Sequence, residues 1–130
     1  MGQIFQMGSN YCPRGSIPLN GQKMQINSNQ ALFSLLGTTY GGDGRTTFGI
    51  PDMRGRTPLQ AGRGPGLSPI PLGQEGGQET SSVRPGGNDA QVNNQLFPNT
   101  NKISTSVAIR SPYLAITYCI VTQGIYPSRN

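Results

Sequence analysis

Five carboxylates, two cysteines and no histidine are the side chains with which this 130-residue chain could do acid–base, metal or thiol chemistry. Lack of histidine removes the commonest general base, the usual partner of a nucleophilic Ser or Cys, and the commonest transition-metal ligand. Cys12 and Cys119, with no further Cys or His, cannot fill the four ligand positions of a structural zinc site. Two thiols so far apart in sequence carry no pairing signal, and they are read as free. Asp43 and Asp52 are the best carboxylate pair available, but Arg45 and Arg54 follow each of them by two residues, which favours ion pairing over acid–base work. The glycine-rich stretches 41–44 and 62–66 lack phosphate-loop spacing, and Pro65 removes an amide that a phosphate cradle would use. No catalytic residue, cofactor or metal is expected, and the chain is read as a non-enzyme.

Net charge is +5, from ten basic residues against five acidic ones. The cations are scattered rather than clustered with aromatics, so nucleic acid is not an expected partner. Eight of the ten are Arg, whose planar fork suits fixed contacts to carboxylates and carbonyls. No apolar run approaches the ~20 residues of a membrane helix, and no charged segment precedes an apolar one at the start. Membrane insertion is not expected, and synthesis is expected in the cytoplasm.

The elements that must position these residues are short. Only 33% of residues are hydrophobic, while Gly (19) and Pro (11) approach a quarter of the chain, so the core should be thin and association with further copies should help to cover it. Gln3 to Met7 alternates as a half-buried strand. Asn20-Gly21 suits a hairpin turn closing onto residues 23–26. Leu32, Leu35 and Leu36 lie on one helical face, which predicts a helix over 28–36, capped by Asn27 or Ser28 and ended at Gly37. Residues 60–91 read as an extended loop. Residues 103–109 and 113–122 read as two strands joined by a hairpin at Ser111-Pro112. The fold class is therefore mainly β, a small, irregular, turn-rich α+β domain with one short helix. A single domain over 1–130 is expected, with a signature half at 1–59, a Gly/Pro/Gln-rich loop at 60–100 and C-terminal strands at 101–130.

One segment is more specific. Residues 40–56 read YGGDGRTTFGIPDMRGR. Gly41, Gly42 and Gly44 permit positive φ in consecutive turns, which the Asp43 carboxylate can stabilise through nearby amides. Thr46, Thr47, Phe48 and Ile50 form a short extended stretch that Pro51 stops. Asp52, Arg54 and Arg56, on alternate positions, offer a carboxylate and two guanidiniums for a clamp within or between subunits.

This string resembles the signature of the phage tail collar family, YGGxGxTTFxLPDLRGR. The resemblance extends through Cys12-Pro13-Arg14-Gly15, Asn20-Gly21-Gln22 and residues 31–37, then through 62–66, Leu67-Ser68-Pro69 and Leu72-Gly73-Gln74 to the run 112–130. It implies a compact, trimeric collar domain of a tail fibre or baseplate spike that supports host attachment. It also implies partners among tail or baseplate proteins and a place in the virion tail, with a secreted or injection-system particle as the alternative. Tyr40, Gly41, Gly42, Asp43, Gly44, Phe48, Pro51, Asp52, Arg54, Gly55 and Arg56 would form its structural and interaction motif. A carbohydrate-binding module gripping host surface polysaccharide is the competing reading, with Tyr11 and Tyr126 as its contacts. Two departures stand out. Ser16 occupies the place where family members carry Trp, and residues 81–92 are short and lack the histidine element through which related fibres hold metal. Neither the metal nor the receptor site transfers to this chain.

Overall fold

The computed structural model of the chain describes residues 1–83 and 105–128, which divide into two compact units, Met1–Gln74 with Ala115–Asn130, and Glu75–Leu114. The first unit contains β1 (Ile4–Met7), β2 (Ser16–Pro18), β3 (Lys23–Gln25), the helix α1 (Gln30–Leu36), β4 (Thr47–Gly49) and the last strand, β7 (Thr117–Val121). The second contains β5 (Thr80–Val83) and β6 (Thr105–Ala108). Short β-sheets with one short helix make the chain mainly β, as its composition and alternation predict.

β7 is the centre of a three-stranded antiparallel sheet in the order β1-β7-β2. Phe5 in β1 and Pro18 in β2 both face Cys119 in register. β3 and β4 form a second antiparallel pair, with Met24 opposite Phe48. Between these sheets and α1 lies a core of Leu19, Leu32, Phe48, Ile50 and Ile120. Phe33 adds a tilted ring contact to Phe48 at 5.5 Å between centroids. Of the leucine face, Leu32 is buried and Leu35 and Leu36 are half-buried. Packing against Phe48 thus holds a helix too short to be stable alone.

Four sequence expectations need correction. Asn20-Gly21 does not close a hairpin, because β2 pairs with β7 and β3 with β4. The turn instead docks on the Asp52 segment, where the Gly21 amide donates to the Pro51 carbonyl and the Met53 amide to the Leu19 carbonyl. The helix starts at Gln30, later than expected, with Asn29 rather than Asn27 or Ser28 at its N-cap position. Ser28 donates to the Asn27 side chain, and Asn29 donates back to the Gln25 carbonyl, so none of the three supplies a side-chain cap. Gly37 does end the helix, at φ 56°. At the C-terminal end β6 and β7 are not a hairpin: β6 pairs with β5, a strand inside the stretch read as loop, and β7 with β1 and β2. Residues 84–91 of that stretch, and 103–104, lie outside the described residues.

The fourth correction concerns the cysteines. They are joined as a disulfide across a sequence separation of 107, with Cα atoms 5.8 Å apart. With β7 between β1 and β2, the connection from one edge strand to the other must step across the central strand, and it carries Cys12 to Cys119. That proximity is created by long-range strand order, which spacing along the chain does not encode.

Candidate functional site

Residues 40–56 leave α1, turn sharply, run through β4 and end in an exposed loop. Close approach explains the glycines at the turn. A Cβ on Gly42, at φ 91°, would lie 2.4 Å from the Phe48 Cα, and one on Gly49 would lie 2.0 Å from the Tyr40 carbonyl oxygen. The Gly49 amide donates to the Gly41 carbonyl at 2.7 Å, tying the two sides of the turn together.

Asp43 sits inside this turn as an acceptor. Its Oδ1 takes the amides of Arg45, Thr46 and Thr47 at 2.9, 2.8 and 2.8 Å, and its Oδ2 takes the Thr46 hydroxyl at 2.6 Å. The Thr46 hydroxyl first, then these amides, hold the carboxyl well below the usual carboxylate range. A carboxylate so saturated with donors keeps the turn closed and has no proton to exchange near neutral pH.

Beyond β4, Phe48, Ile50 and Pro51 are buried, and the chain emerges at Asp52. Arg54 grips that carboxylate with both limbs of its fork, Nε donating to Oδ1 at 2.9 Å and Nη2 to Oδ2 at 2.8 Å. Its amide adds a third bond at 3.1 Å. Arg56 Nη1 lies 3.5 Å from Oδ2 and donates to the Asp52 carbonyl at 3.1 Å. Hydrogen bonds from Arg54, then the charges of both arginines, hold Asp52 well below the usual carboxylate range, and Asp52 in turn raises Arg54. The Asp52 side chain is 22% exposed and that of Arg54 is 70% exposed. A fixed guanidinium is thus presented at the surface with donors left over for an external carboxylate or carbonyl. Gly55, at φ 68°, permits the turn between the two arginines.

The first 58 residues hold this turn, the clamp and most of the core. Residues 2–58 match the Phage Tail Collar Domain family. The stretch that matches the collar family runs from before β1 to just beyond the Asp52 clamp, so both polar constellations belong to it. The downstream segments that resemble the family by motif lie outside that match. No curated protein matches the chain.

Tyr11 lies in the β1–β2 connection and is 67% exposed. Tyr126 is 49% exposed, with its phenol 3.0 Å from the Ser34 hydroxyl of α1. Reading the sequence missed two features of the first unit. One is the disulfide. The other is an open, largely apolar hollow of about 420 Å³ lined by Ile4, Phe5, Gln6, Met53, Pro58 and Tyr118. Its lining comes from three separate stretches of chain, and no local pattern unites them.

Proposed function

We propose that the chain is a structural component of a phage or phage-derived tail, a collar domain of a tail fibre or baseplate spike that self-associates as a trimer and supports host attachment. The observation that carries this reading is the collar match over residues 2–58, which contains the Asp43 turn and the Asp52–Arg54–Arg56 clamp. Both carboxylates are committed to structural bonds, and the exposed Arg54 fork is suited to a protein neighbour. Gold-labelled antibody against the chain, applied to intact particles and viewed by electron microscopy, should decorate the tail. Label confined to free protein, with unlabelled tails, would overturn the reading. Light scattering on the purified chain should give three times the mass of 13.8 kDa.

A second reading, a carbohydrate-binding module, draws support from the exposed ring of Tyr11, since an open aromatic face suits the apolar face of a sugar. Binding on an array of bacterial surface polysaccharides, lost in Tyr11→Ala, would favour it. A stable oligomer with no glycan binding would leave the structural role alone.

A further inference from the structure

The Cys12–Cys119 bond is distributed unevenly between surface and core. Cys119 is fully buried on the central strand β7, whereas Cys12 is half-buried on the connection between β1 and β2. The fold around it has noncovalent ties of its own. Cys119 is the one core residue that the bond engages; Leu19, Leu32, Phe48, Ile50 and Ile120 pack as a cluster beside it, and β7 is paired through backbone bonds on both sides. The connection has further noncovalent ties: Thr117 Oγ1 donates to the Ser9 carbonyl at 2.6 Å, and the Thr122 amide to the Gly15 carbonyl at 2.8 Å. As a thiol, Cys119 would remain a small apolar side chain in its place. The missing bond would instead be felt in loop closure, because β1 and β2 meet β7 only after about a hundred intervening residues.

We propose that this pair is an oxidation-gated lock, open as a dithiol in a reducing cytoplasm and closed on the folded chain once it meets an oxidising medium. The oxidant is a low-molecular-weight disulfide of the glutathione type. The more accessible Cys12 thiolate attacks one sulfur of the oxidant, forming a mixed disulfide and releasing one small thiol. Cys119, losing its proton, then attacks the Cys12 sulfur and releases the second. Two protein thiols are oxidised, one small disulfide is reduced to two thiols, and the new bond joins the N-terminal connection to β7. The lock works whatever the chain's partner is.

The test compares the full chain kept reduced under anaerobic conditions with the same protein treated with oxidised glutathione. The measurements are thermal melts by circular dichroism and thiol counts in denaturant. The reduced chain should melt cooperatively with two titratable thiols. The oxidised chain should have none and should melt at least about 10 °C higher, as expected for closing so long a loop. Cys12→Ser and Cys119→Ala should each melt near the reduced chain and ignore the oxidant. Equal midpoints with and without the bond would overturn the lock. So would two thiols surviving oxidation, or a reduced chain with no folded baseline, which would make the bond a requirement for folding.

Discussion

The carboxyls of Asp43 and Asp52 mark where single residues decide the behaviour of the collar segment. Both are held below their ordinary value, so the folded state binds fewer protons than the unfolded one as pH falls toward that value. The stability they contribute is fully present above the unfolded value of about 3.9 and is lost as pH drops through it toward the lower folded values. The melting midpoint should therefore be flat from about pH 5 to 7 with respect to these groups and fall steadily below about pH 4. Asp43→Asn should melt lower at neutral pH and lose part of that acid slope, because an amide oxygen is a weaker acceptor for the turn's donors. A midpoint indifferent to pH down to 3 would remove both carboxyls from the account. Glycine gives a contrast at the same scale. Gly49→Ala places a methyl 2.0 Å from the Tyr40 carbonyl oxygen and should leave little folded protein, whereas Gly8→Ala meets nothing within 4 Å. Gly8→Ala should change stability by no more than about 0.5 kcal/mol in denaturant titration.

At the scale of elements, Phe48 joins the β3–β4 pair to α1. It is fully buried, faces Met24 across the pair and touches the Phe33 ring. Phe48→Ala should cost about 3–5 kcal/mol, a large share of the stability of a small domain, and chemical denaturation should show it as a drop in midpoint with little change in slope. α1, β1 and β4 were legible because each is announced locally: leucines at helical spacing, alternation, and an extended stretch stopped by Pro51. Their pairing was not. Alternation specifies which face of a strand is buried but not which strand lies beside it, so sequence alone pairs β2 and β7 with their sequence neighbours as hairpins. β5, Thr80-Ser81-Ser82-Val83, carries almost no apolar signal, and its strand character comes from pairing with β6. In the motif itself, the Asp43 turn and the Asp52 clamp could be read residue by residue, since both are built from partners within four positions.

For the whole molecule, among the described residues every core residue lies in the unit formed by Met1–Gln74 and Ala115–Asn130, as does the disulfide, and the described residues of Glu75–Leu114 contribute none of them. That division is invisible to composition, because the interrupted unit is closed by contacts between β7 and strands near the other end of the chain. The intervening stretch should be replaceable without loss of the fold. Replacing Glu75–Leu114 with a flexible Gly/Ser linker of about 15 residues, with a root-mean-square span of roughly 20 Å, shortens the loop closed by β7 and leaves the described core residues in place. Loop-closure entropy changes by only about 0.6 kcal/mol for each doubling of length, so a shortening well under twofold is nearly neutral. The excised chain should melt cooperatively within about 5 °C of the full chain under oxidising conditions and should protect the amides of β1, β2 and β7 from hydrogen exchange. A non-cooperative melt, or rapid exchange in β7, would show that the first unit draws its stability from the segment that was removed.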